Sequence, residues 1–184
     1  MSRAYRIKVK ESLKRILKAD DKAKSSLDII QVLPPEQMSQ ILEAVLSEKG
    51  FEKDGEVMKK TLESGVTISV NPTEGTVEVT VEACEEFCEE IVKDGTGHSR
   101  QDEKNLKEQV KKGLKDKADK KEKKLQTEIT DKLEKELHGV KKEIDQTINR
   151  VTAEALKIKA AQLGQIKELT EDPEQGSMTI VVEV

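Results

Sequence analysis

Tryptophan is absent from this 184-residue chain, and one tyrosine and two phenylalanines bring the aromatic share to only 2 %. Aromatic side chains fill much of an ordinary core and stack on nucleobases. Their scarcity, beside 38 % charged residues, leaves poor material for a large globular core and suits a coiled coil or a long exposed helix. Cysteine is limited to Cys84 and Cys88, which excludes a disulfide framework and fits a reducing compartment. Their CxxxC spacing has no second pair beside it, so they read as buried free thiols rather than a redox or metal pair. No apolar run approaches the ~18 residues of a membrane-spanning helix. The opening MSRAYRIKVK lacks the apolar stretch of a signal peptide. The expectation is a cytoplasmic protein with no membrane span.

Catalytic patterns are missing as well. His98 and His138 have no metal-ligand spacing; Glu134 and His138 share a helix face at i, i+4, a common coincidence. The dense acids Glu82, Glu85, Glu86, Glu89 and Glu90 lack the Asp/Asn/Gly frame of a calcium loop and read as a solvated edge. Neither GxxxxGK nor GxGxxG occurs, and no Ser/His/Asp set assembles. No catalytic, cofactor-binding or metal-ligating residue is assigned, no cofactor is expected, and the chain reads as a non-enzyme.

What is present is strand-like, then helical. Tyr5, Ile7 and Val9 alternate with Arg6, Lys8 and Lys10, a strand signal that Leu13, Ile16 and Leu17 continue less cleanly. Asp20, Asp21 and Lys22 resemble a turn, and Leu27, Ile29, Ile30, Val32 and Leu33 a second strand, giving a hairpin. Pro34 and Pro35 then open a helix whose apolar face is Met38, Ile41, Leu42, Val45 and Leu46, stopped at Lys49 and Gly50. Val57, Met58 and Leu62 suggest a strand. Val66, Ile68 and Val70 face Val77, Val79, Val81 and Ala83 across the turn residues 71–75. Residues 83–92 fit helix or strand, with strand favoured because no breaker interrupts the hairpin arm. Asp94, Gly95, Thr96 and Gly97 read as a linker.

From 99 to 170 no proline occurs, and glycine occurs only at 113, 139 and 164. Ser99 and Asp102 open this stretch like a capping box. A helix of roughly 70 residues is about 100 Å long, more than so short a chain is expected to cover, so its stripe is expected to meet another chain. Apolar positions run Ile129, Leu133, Leu137, Val140, Ile144, Ile148, Val151 and Ala155, an eleven-residue repeat of 3.67 residues per turn. The first seven form the candidate interaction seam, expected to meet one partner helix. From Val151 the stripe broadens through Ala153, Leu156, Ile158, Ala160, Ala161, Leu163, Ile166 and Leu169, wide enough for burial on two sides. Met178, Ile180 and Val182 then alternate as a final strand, with Pro173 and Gly176 allowing a reversal before it. Three regions follow: an α+β head at 1–97 of antiparallel strands and one helix, a coiled-coil-like arm at 98–170, and a turn with a C-terminal strand at 171–184.

Net charge is −4, but residues 1–24 hold nine Lys/Arg against three acids and residues 43–92 four Lys against thirteen acids. These regions are expected to attract each other within the fold. Ten lysines against four acids at 104–124 could touch phosphates, but without interleaved aromatics or arginine a solvated helix face is favoured over nucleic acid.

The segments SRAYRIKVKESLKRILKADD, LPPEQM and INRVTAEALKIKAAQLGQIKELTEDPEQGSMTIVVEV resemble bacterial proteins of ternary systems that pair a membrane AAA protease with von Willebrand A and MoxR-type ATPase proteins. The resemblance implies a non-enzymatic accessory component of an ATPase-driven system and assigns no residue a role. The residues themselves favour a structural or adaptor protein that self-assembles through its long helix as a homo-oligomer. The alternatives are a partner-recognition or effector module for an AAA-type ATPase and, from another class, nucleic-acid binding through 104–124.

Overall fold

The computed structural model describes residues 5–172 and 177–183. The fold is α+β. Its elements are β1 (Tyr5–Ser26), α1 (Pro35–Glu48), β2 (Glu52–Asp54), β3 (Val57–Thr61), β4 (Val66–Asn71), β5 (Thr76–Gly97), α2 (Arg100–Leu163), β6 (Gln165–Asp172) and β7 (Ser177–Glu183). One antiparallel sheet has the order β1-β5-β4-β3-β2, and β6 and β7 form a separate two-stranded sheet. The chain divides into two compact units, Met1–Asp21 with Glu82–Asp131, and Lys22–Val81 with Lys132–Val184.

In the first unit β1 and β5 form a ribbon covered by α2. The ion pairs Lys10–Glu90 at 3.0 Å and Lys14–Glu86 at 2.6 Å run in opposite directions along the two strands, as antiparallel pairing requires. Odd-numbered residues turn inward: Ile7 and Val9 pack with Val110 and Leu114, and Leu17 and Phe87 with Ala118. Leu13, Ile91, Leu106 and Leu125 are half-buried around these two clusters. A bare two-stranded ribbon is only marginally stable in water, so this helix cover is what makes such long strands tenable. The same alternation corrects the reading of the cysteines: Cys84 and Cys88 occupy even positions and are exposed, not buried.

The turn expected at Asp20, Asp21 and Lys22 does not form, and no hairpin follows it. β1 continues to Ser26, and residues 27–33 are irregular. These three residues include no glycine, proline or asparagine to demand a reversal. The chain there is also held extended from the side: Gln126 Nε2 donates to the Asp20 carbonyl at 2.9 Å, and Thr130 Oγ1 to Asp21 Oδ2 at 2.8 Å.

The open choice at 83–92 resolves to strand, and β5 runs on through the expected linker. Gly95 and Gly97 are needed there for close packing. A Cβ on Gly95 would lie 3.0 Å from Leu106 Cδ2, and one on Gly97 would strike Ile7 Cδ1 and Asp102. The chain then enters α2 through the expected capping box. The backbone N–H groups of His98 and Ser99 donate to Asp102 Oδ2 at 2.8 and 3.0 Å, and the Asp102 N–H donates to Ser99 Oγ at 3.3 Å. The His98 and Ser99 N–H bonds hold the Asp102 carboxyl below its ordinary pKa.

The second unit contains the expected hairpin, with Val66 opposite Val81, Ile68 opposite Val79 and Val70 opposite Val77. All six valines and isoleucines are buried on one face. Asn71 Oδ1 accepts from the Thr73 and Glu74 N–H groups at 3.0 and 3.1 Å, shaping the turn that ends at Gly75 (φ 63°). α1 buries Met38, Leu42, Val45 and Leu46, with Ile41 half-buried, and Gly50 at φ 83° terminates it.

α2 ends at Leu163, seven residues before the expected boundary, because 165–172 is strand β6. A Cβ on Gly164 would meet the Glu183 backbone carbonyl, so the returning strand needs glycine at this position. β7 pairs with β6, placing Leu169 opposite Ile180 and Ile166 opposite Val182. An irregularity between Ile166 and Glu168 brings Ile166 and Leu169, three apart, to one face. Pro173 and Gly176, expected to make the reversal, lie outside the described residues.

Candidate protein-interaction site

Each stretch of α2 turns one line of side chains toward its own unit, and the eleven-residue period is visible in which ones are buried. Ala118, Ile129, Val140 and Val151 are all buried, and so are Leu133, Ile144 and Ala155. Eleven residues make about three helical turns, so such positions drift only slowly around a straight helix. Much of the stripe expected to find its cover on another chain is already buried within this one. Upstream, Val110, Leu114 and Ala118 are covered by Ile7, Val9, Leu17 and Phe87 of β1 and β5. Sequence reading also missed Thr147, which is buried in the same line. Its polarity hid it, although it sits four residues before Val151. Its hydroxyl is satisfied by the Glu143 carbonyl at 2.7 Å.

Of the seven seam residues, Ile129, Leu133, Val140, Ile144 and Val151 are buried, while Leu137 and Ile148 are only half-buried. These two line an open cleft of about 430 Å³ with Val140 and Ile144 on one wall and Leu27, Val77 and Val79 on the other. Lys24, Asp28, Lys141 and Asp145 also line it, and all four are exposed. The wall containing Leu27 comes from the irregular stretch after β1, held by the Leu27 N–H to the Gly75 carbonyl at 2.7 Å. Nothing in the local sequence marked this cleft, because its walls come from three distant segments.

Beside the cleft a polar cluster anchors α2. Lys60 Nζ pairs with Glu143 Oε1 at 2.7 Å and sits 5.4 Å from the Phe51 ring centroid. Lys49 Nζ donates to the Glu143 carbonyl at 3.3 Å, and Arg150 pairs with Glu48. Burial lowers the Lys49 pKa; Glu143 opposes the shift, and the Arg150 and Lys60 charges add to it. This is a fastening rather than a reactive centre: its ion pairs and hydrogen bonds join α2 to α1, to β3 and to the residue just beyond α1.

The lysine-rich stretch of α2 meets strand acids: Lys107 pairs with Glu11 at 3.2 Å and Lys117 with Glu89 at 2.8 Å, and Lys121 with Glu85. Arg15 reaches back to Asp119 and Glu122 at 2.9 and 3.0 Å. The basic start of the chain thus meets acids on both β5 and α2. His138 and Glu134 are exposed. Among the described residues, no group of three or more His, Cys, Asp or Glu could hold a metal ion, and no helix is long and apolar enough to cross a membrane.

Comparison with known proteins places the chain. It matches the family described as FtsH ternary system domain X5 over residues 1–184, and it belongs to that family. No curated protein and no solved structure matches it.

Proposed function

We propose that this accessory component of an FtsH ternary system is a non-catalytic adaptor that binds another protein of the system at the cleft beside Leu137 and Ile148. The observation that supports this is the cleft itself: an apolar floor on a rigid helix, open where the rest of the seam is closed, with charges of both signs around it. Such a surface fits a partner segment that presents aliphatic side chains between charged ones, with the buried floor supplying affinity and the rim specificity. Self-assembly along the whole seam would require a second chain to displace the parts of this chain that bury five of its seven residues. A second copy would have to enter at the same two residues.

The test is titration calorimetry of the purified protein against each other component of the system. Leu137→Glu places a charge on the apolar floor, and Lys141→Glu with Asp145→Lys reverses the rim without touching a buried residue. Binding by the parent, weakened at least about tenfold in both variants, is the expected result. If no component binds, or both variants bind like the parent, the proposal fails. Light scattering of the same variants reads self-association through α2.

A further inference from the structure

We infer that β7 is a self-association edge, which pairs antiparallel with β7 of a second copy about a two-fold axis through Ile180. This surface is separate from the cleft, and the inference stands whether or not the cleft has a partner.

Three observations converge on it. First, the β6–β7 sheet lacks the cover that such a sheet needs. None of the side chains at 165–170 or 178–183 is buried, and among the described residues no third strand joins the pair. A two-stranded sheet becomes stable in water when it gains further strands or a packed face. Second, apolar exposure concentrates here. Leu156, Ile158 and Leu163 at the end of α2, with Leu169 and Val181 in the hairpin, are five of the nine exposed large hydrophobic residues among those described. Of the broad stripe from Val151 onward, Val151, Ala155 and Ala160 are buried, while the large side chains Leu156, Ile158 and Leu163 are exposed. Third, the two free edges differ in charge. β6 carries Lys167 and Glu168, the kind of charged edge that resists pairing. β7 carries no charge from Ser177 through Val182, and Glu183 is already held by Lys167 at 2.8 Å.

The charge pattern selects the occupant. An uncharged edge offers nothing to steer a charged strand from another protein, but it is complementary to itself. Antiparallel strands in one sheet are related by a two-fold axis perpendicular to it, which keeps even positions on one face. Centred on Ile180, the register sets Ile180 against Ile180, Met178 against Val182 and Thr179 against Val181 of the second copy. All of these are uncharged, and most are β-branched pairs of the kind that stabilises sheets. Glu183 falls opposite Ser177, so no like charges meet. The hairpin face formed by Ile166, Leu169, Met178, Ile180 and Val182 becomes continuous across four strands.

Sedimentation equilibrium of the full chain tests this. The parent should dimerise. Ile180→Lys and Ile180→Glu each place like charges directly opposite one another and should weaken the dimer by more than about tenfold. Mixing the two variants should restore a heterodimer, which a merely unfolded hairpin could not do. Val181→Lys, at a position already exposed, should also weaken the dimer. A parent that stays monomeric across the concentration range, or leaves the monomer only when another protein of the system is added, overturns the inference. So do Ile180 variants that remain dimeric alone, or that fail to pair when mixed.

Discussion

Replacing Leu114 by alanine tests whether α2 is covered by its own chain. Leu114 is 2 % exposed and packs with Ile7, Val9 and Val110, with Leu13, Ile91 and Leu106 around them. The substitution removes three methyl-sized groups, at ~0.8 kcal/mol each, or about 2.4 kcal/mol of transfer free energy. Space that fails to close adds more: ~40 Å³ left open contributes about 1 kcal/mol. Two strands and one helix close only partly, because backbone pairing between β1 and β5 fixes the strand spacing. The expected loss is therefore about 3–4 kcal/mol, a large share of a typical domain's stability. Urea unfolding followed by circular dichroism measures it, at two protein concentrations tenfold apart. Any contribution from association through β7 is common to parent and variant and cancels in the difference. A loss below about half a kcal/mol would show that the site is not a packed core. A loss that depends on protein concentration would show that the stripe is covered by another chain, and either result refutes the reasoning.

Leu42→Ala, at the centre of the α1 face, should cost about 2–5 kcal/mol in the same assay. Gly97→Ala should destabilise by about 1–3 kcal/mol, because its new methyl group meets Ile7 and Asp102. Gly139→Ala, where nothing lies within 4 Å of the added carbon, should instead stabilise α2 by about 1 kcal/mol; equal effects at the two glycines would contradict the packing at the start of α2. The depressed Asp102 carboxyl contributes stability that is present above the ordinary carboxylate range and is lost as pH falls through its lowered folded value. Asp102→Asn should thus be less stable than the parent at neutral pH and converge with it in acid, and a gap that persists at low pH would mean the cap acts by another route.

The elements legible in the sequence were those whose cause is local. α1 announces itself by two prolines, an i, i+3, i+4 stripe and a glycine stop. The β4–β5 hairpin is written in alternating valines around an asparagine-led turn. The Ser99–Asp102 cap closes within four residues, and the eleven-residue period needs only the helix itself. Where the sequence misled, a distant segment supplied the deciding force. Asp94 to Gly97 looks like a linker until the first turns of α2 sit close enough to require glycine. Residues 165–170 continue an apolar helical stripe until β7 returns and pairs with them.

By itself the sequence determined the α+β class, the two helices, the central hairpin, the period of the long stripe and the absence of recognisable catalytic patterns. Each follows from side-chain spacing against a backbone with a fixed repeat. Only the tertiary structure decided what covers that stripe, that β1 runs through Asp20 and Asp21, that the cysteines face solvent, and that part of the seam stays open as a cleft. An apolar stripe records that a face must be buried but not against what, because hydrophobic burial has no direction and many surfaces satisfy it.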